Sequence, residues 1–180
     1  MATATQWNEE YAVTTRHTPF LTNVAHQCTS GCDLVFLKRK AEDGAPQWRN
    51  AVPGEEVIAS GVSPFLITVQ GRGTAKSTRV VIRDHPPEVL AAVHDAPVVK
   101  GMSGGPVYGA DGQVLGMTLG MGTDVIFSDT HDPLSAAHGD RLSFYMPYEE
   151  IRKEWERYQV IQARRAEDDK APDSLFASSD

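Results

Sequence analysis

The sequence predicts an all-β fold, a barrel or sandwich of short strands, followed by one C-terminal helix. Three observations lead there. Short β-type runs separated by turn residues fill the chain up to Leu119, and no helix-rich stretch precedes about Tyr148. Asp111-Gly112 lies between two of those runs, where glycine accepts the positive φ of a tight hairpin. Near Tyr148 the apolar pattern changes to a helical period.

The β-type runs cover residues 11–15, 20–24, 34–37, 57–60, 65–69, 79–82, 106–108 and 114–119. Pro53-Gly54 and Gly71-Arg72-Gly73 punctuate them. From Tyr148 to about Ala166, Ile151, Trp155 and Tyr158 recur at i, i+4 and i+7, which predicts a helix docked by a narrow aromatic stripe. Pro147 suits its start. Residues 1–166 are thus expected to form one domain, with the helix at 148–166. Residues 167–180 are acidic and aperiodic and read as a disordered tail, in which Leu175 and Phe176 could dock on this chain, a second copy or another protein.

The 180 residues are 41% apolar and 23% charged, enough for one core, and the net charge is -7. That balance argues against nucleic acid or an anionic membrane as the main partner. No apolar run approaches the roughly 20 residues of a membrane span. The first ten residues lack the pattern of a signal peptide, so the cytoplasm, or a virion if the protein is viral, is the expected location.

Gly101-Met102-Ser103-Gly104-Gly105-Pro106 carries the chemistry. A serine hydroxyl needs a base to take its proton and donors to stabilise an oxyanion. Flanking glycines let successive N–H groups converge while the serine stands clear. The alternative, a plain glycine-rich turn, is countered by the hairpin that follows and by a histidine upstream. His26, at the end of a buried-looking run, is the expected base, and Asp33, opening Asp33-Leu34-Val35-Phe36, the expected orienting acid. His17, His85, His94, His131 and His138 lie in polar or proline-rich stretches and are read as surface residues.

These segments together resemble trypsin-like serine peptidases, most closely the HtrA-type branch in a short bacterial or phage form without a PDZ module. Residues 20–26 are similar to its histidine motif, 33–38 to its aspartate motif, 54–61 to a strand before its activation loops, 101–116 to its serine motif with hairpin, and 143–147 to its last strand. The resemblance covers about residues 20–155. It implies a chymotrypsin-like double β-barrel hydrolysing peptide bonds through an acyl-enzyme, with no cofactor or metal and with a peptide or protein as partner. It also implies an oxyanion hole at the N–H groups of Gly101 and Ser103 and substrate pairing along Gly116, Met117 and Thr118. The specificity pocket would be walled by Pro97, Val98, Val99 and those three residues, and lacks an acid, so a small or medium apolar side chain is expected there. Two departures stand out. Only residues 27–32 separate His26 from Asp33, so the first barrel must be trimmed or another acid, such as Asp43, must serve. Met102 replaces the usual Asp or Asn. A catalytically inactive relative that binds peptides or assembles in a particle is the rival reading.

Cys28 and Cys32 allow three states. They could form a disulfide in an oxidising compartment, remain free thiols in a reducing one, or ligate zinc with His26. Free thiols are the expected state, and zinc lacks a second well-spaced pair. Gly71 to Thr78 lacks the glycine before lysine that a phosphate-binding loop needs and is read as a basic hairpin beside the cleft.

Overall fold

A computed structural model describes residues 3–82, 90–122, 125–127 and 142–170. His85, His131, His138 and residues 171–180, with Leu175 and Phe176, lie outside the described residues.

Among the described residues, strands alternate with turns as far as Pro147, where the backbone turns helical. The N-terminal lobe is an antiparallel sheet of β1 (Thr5–Gln6), β2 (Tyr11–Thr14), β3 (Val24–Gln27) and β4 (Val35–Lys38), in the order β1-β2-β4-β3. The second lobe holds β5 (Glu56–Val62), β6 (Thr68–Ile82), β7 (Ala91–His94), β8 (Pro106–Gly109), β9 (Val114–Gly122), β10 (Val125–Phe127) and β11 (Leu142–Pro147). Its order is β10-β6-β5-β8-β9-β11-β7, and a β6–β7 pairing closes six of the strands into a barrel with β10 on the outside. Of the two barrels implied by the resemblance, the second is closed. The first is represented, among the described residues, by the four-stranded sheet.

The helix α1 (Tyr148–Asp168) docks as its spacing predicts. Ile151 and Tyr158 are buried, and the Trp155 ring packs 5.2 Å from Phe36 and 4.9 Å from Tyr11. Burying an aliphatic side chain such as Ile151 contributes about 1.5–3 kcal/mol. Glu149 and Glu150 complement the positive end of the helix. This core joins the first lobe to β9 and β11. A second core, around Val57, Met102, Leu115 and Tyr145, fills the barrel.

Several expectations shift. Residues 20–23 are not a strand: Pro19 has no N–H to give a ladder, Phe20 is 98% exposed, and Phe20 and Asn23 take φ of 59° and 56°. The strand starts at Val24. Residues 65–67 are the β5–β6 turn, closed by Ser63 N–H on Ile67 O at 2.9 Å, with Phe65, Leu66 and Ile67 exposed. Gly71 to Thr78 is the interior of β6 and not a hairpin. Gly71 is required there because a Cβ would lie 1.9 Å from the Pro97 carbonyl oxygen. The β8–β9 hairpin forms at Asp111-Gly112 as expected, with Gly109 N–H on Gln113 O at 2.9 Å.

His94, expected at the surface, is fully buried on β7 with its ring 5.5 Å from that of Tyr145. Burial pushes its pKa down to about 4, against weaker opposing effects of Asp95 and the Ala96 backbone. Cys28 and Cys32 are joined in a disulfide that closes residues 29–31 into a small loop, and neither is a free thiol. The loop-entropy relation gives such a short bridge about 2 kcal/mol of stability. Reduction should therefore lower the thermal midpoint by about 4–8 °C, read by calorimetry with and without reductant. An unchanged midpoint would mean that the bridge contributes nothing to stability.

Candidate active site

The serine loop leaves α-helical and β-type geometry because its glycines permit it. Gly101 and Gly104 take φ of +98° and +85°, and a Cβ at Gly104 would lie 2.0 Å from Thr3 O and 2.4 Å from Thr14 Oγ1. The loop is therefore pressed against the N-terminal segment on one side and against the end of β2 on another. Met102 is buried in the barrel core, and its N–H donates to Val99 O at 3.1 Å. At this position, where the resemblance led to Asp or Asn as the usual residue, an apolar side chain seats the loop on the barrel core. Ser103 is partly exposed, and its hydroxyl donates to Leu119 O at 3.2 Å. Among the described residues, the N–H groups of Gly101 and Ser103 have no protein acceptor.

The residues expected to serve Ser103 are distributed differently. Asp33 is buried at the start of the segment leading into β4 and receives two bonds from His17. The His17 backbone N–H donates to Oδ1 at 2.9 Å, and Nδ1 lies 2.6 Å from Oδ2. His17 follows β2, whose last residue, Thr14, touches the serine loop at Gly104. The Asp33 hydrogen bond, the largest effect, raises the pKa of His17, and the nearby carboxylate charge adds to it, while partial burial works against both. The Nε2 of His17 is left without a partner among the described residues, on a half-exposed side chain.

His26 is engaged elsewhere. Its Nε2 lies 2.6 Å from Glu154 Oε1 on α1, and its ring stacks on Tyr158 at 4.7 Å. Glu154 is almost wholly buried and also accepts from Thr29 N–H at 2.9 Å and Arg157 at 2.9 Å. Burial pushes its carboxyl pKa up, but the bonds from His26, Thr29 and Arg157 outweigh that and hold it below the usual carboxylate value. The expected His26–Asp33 partnership is thus corrected: Asp33 takes His17, and His26 anchors the helix. Asp43, the spare acid, is exposed in the loop after β4.

The expected substrate-binding residues also divide. Gly116, Met117 and Thr118 are buried in mid-barrel; all three pair with β11, and Gly116 and Met117 also with β8. Thr118 spends its N–H on Gly105 O and its C=O on Gly104 N–H, both at 2.8 Å, so it offers no edge to a peptide. Beyond it, Leu119 to Gly122 continue past the last β8 pairing and bond to β11 on one side. A Cβ at Gly120 would meet nothing within 4 Å, and Met121 is exposed. Val98 is buried and Val99 exposed just before the serine loop.

The sequence analysis read His17 as a surface residue and did not single out the segment starting at Leu119. The available signal was the spacing. His17 to Asp33 leaves room for β3 between them, whereas His26 to Asp33 does not.

No protein-family model matches the chain, and no curated protein does. Solved structures do. The inactive form of the Rv3671c protease of M. tuberculosis matches with a TM-score of 0.65 at 17% identity, over 87% of this chain and 83% of that one. The MamO protease domain from Magnetospirillum magneticum matches at 0.58 and 19%, over 85% and 87%. The HtrA-type protease AlgW, solved with a decapeptide, matches at 0.65 and 17%, over 90% of this chain and 51% of that one. The chain therefore has the trypsin-like serine-protease fold.

Proposed function

We propose that the chain is a serine endopeptidase in which Ser103 is the nucleophile, His17 the general base and Asp33 the orienting acid. The observation that carries this reading is the two-point bond from His17 to Asp33, at 2.9 and 2.6 Å, on the segment that β2 delivers beside the serine loop. With Nδ1 on Asp33, Nε2 is the atom left to take a proton. In the proposed reaction the Ser103 oxygen attacks a peptide carbonyl and its proton passes to Nε2. The C–N bond then breaks, and the leaving amine takes that proton. Water, deprotonated by the same nitrogen, attacks the acyl carbon; the Ser103 O–C bond breaks, and the proton returns from Nε2 to the serine oxygen. The N–H groups of Gly101 and Ser103 would receive the oxyanion in both halves. The serine hydroxyl, now on Leu119 O, must turn to Nε2 when substrate binds; such bonds are often loose in unliganded enzymes.

Leu119 to Met121, in place of Gly116 to Thr118, is the strand we assign to peptide pairing, because its free side runs on from the serine loop. Val98 and Val99 stay in the proposal as the wall before the loop. A peptide or protein is the partner proposed; the decapeptide bound to AlgW is a property of that protein. The disulfide favours an oxidising surrounding over the cytoplasm. No helix among the described residues is long and apolar enough to cross a membrane.

The pH profile tests this reading. The Asp33 bond stabilises the imidazolium, so His17 must lose its proton above the ordinary histidine value near 6.5 before it can act as a base. Acylation of Ser103 should therefore rise with pH along a limb centred above 6.5, and Asp33→Asn should move that limb down while slowing the plateau. The same pair contributes stability that is complete below pH 6.5 and is lost as pH rises through the raised value. A rate independent of pH between about 5 and 9 would reject His17 as the base.

A further inference from the structure

We propose that the N-terminal segment belongs to the catalytic apparatus: Thr3 and Thr5 are positioning residues that hold the peptide planes of the serine loop and thereby aim the Ser103 N–H as oxyanion donor. The proposal rests on the reading of Ser103 as nucleophile.

A trans peptide is planar, with its C=O and N–H pointing in opposite directions, so a plane bonded at both ends cannot swing. The Gly101–Met102 plane is held in this way. Thr3 Oγ1 donates to Gly101 O at 3.0 Å, and Met102 N–H donates to Val99 O at 3.1 Å on the other side. The Ser103–Gly104 plane is held by Thr3 N–H on Ser103 O at 3.1 Å and by Gly104 N–H on Thr118 O at 2.8 Å. The Gly104–Gly105 plane is held by the buried Thr5 hydroxyl on Gly104 O at 2.8 Å and by Gly105 N–H on Met102 O at 2.9 Å. That last bond fixes the Met102–Ser103 plane, whose N–H is one of the two free donors. Three carbonyls of the loop are thus bonded from the N-terminal segment, and the N–H groups of the same planes from the barrel or from the loop itself.

The clamp is tied at its other ends as well. Thr3 Oγ1 accepts from Val62 N–H at 3.0 Å, which links it to the end of β5. Thr14 Oγ1 donates to Thr3 O at 2.8 Å, which links it to β2 and so to the segment carrying His17. One short segment, Thr3 to Thr5, therefore sets the loop, the base and the barrel in common register. Met102, being apolar, gives the loop no ionic anchor, so the hydroxyls take over that task.

The test compares wild type with the double variants T3V/T5V, which keep shape and remove both hydroxyls, and T3S/T5S, which restore them. Two readouts are used well below the melting range: turnover of an activated peptide ester, and amide exchange at Gly104 and Gly105. The clamp predicts that T3V/T5V loses about 10–100-fold in kcat, with KM within about twofold, since a displaced donor costs less than the 10²–10³ of a deleted one. It also predicts at least a tenfold loss of protection at the two glycines, with the β8–β9 ladder unchanged, and recovery of both in T3S/T5S. Unchanged kcat in T3V/T5V overturns the proposal, as does a kcat loss with protection intact. If the wild type forms no acyl-enzyme, the peptidase reading fails, and the exchange arm alone decides whether the clamp exists.

Discussion

Ser103→Ala and His17→Ala should each lower kcat/KM on a peptide substrate by about 10⁴–10⁶, whereas His26→Ala should leave kcat/KM of the folded enzyme within about threefold of wild type. The scale follows from triads that act as a unit, where removing nucleophile or base costs nearly as much as removing everything. The contrast between the histidines follows from their bonds. His17 gives Nδ1 and its backbone N–H to Asp33 and keeps Nε2 open, while His26 spends Nε2 on a buried carboxylate of the helix. Asp33→Asn should fall at the low end of the losses of Ser103→Ala and His17→Ala, near 10⁴ in kcat, because the amide favours the wrong tautomer. Steady-state kinetics on correctly folded variants checks all four.

The second large effect is on stability. His26→Ala should destabilise the protein by about 2–3 kcal/mol, somewhat below the 3–5 typical of a broken buried pair, because Thr29 and Arg157 still hold Glu154. The thermal midpoint should fall by about 4–12 °C. Glu154→Ala should cost a similar amount, and the double variant clearly less than the sum, since each single change strands the partner of one bond. Calorimetry on the four proteins gives the cycle. Strict additivity would show that the helix is held by Ile151, Trp155 and Tyr158 alone.

The contrast between these histidines also marks how far the sequence can be read. The serine loop, the Asp111-Gly112 hairpin and the α1 stripe were legible because each is a local pattern: glycines at fixed offsets, a turn dipeptide, apolar residues on one helix face. The number and spacing of the strands pointed to a barrel or a sandwich, and only the family resemblance pointed to the barrel. His26 misled because an apolar run ending in histidine looks like a buried strand. Its actual partner, Glu154, lies 128 residues away, where no local rule could pair them. His17 was hidden for the opposite reason. Thr14-Thr15-Arg16-His17 reads as a polar surface turn, and only the fold brings Thr14 against Gly104 and Asp33 beneath the imidazole. That Thr118 has no edge to offer was not legible, because its bonds to Gly104 and Gly105 are long-range. His94 was missed as a core residue because Ala91-Ala92-Val93-His94 is too short to announce a strand.

The central claim is that Ser103 is activated by His17. Its most direct test is covalent labelling by a fluorophosphonate, with intact mass and peptide mapping to locate the adduct. The account predicts one adduct per chain, on Ser103, formed at comparable rates in wild type and His26→Ala and lost in His17→Ala and Ser103→Ala. Labelling that persists in His17→Ala and disappears in folded His26→Ala would contradict it.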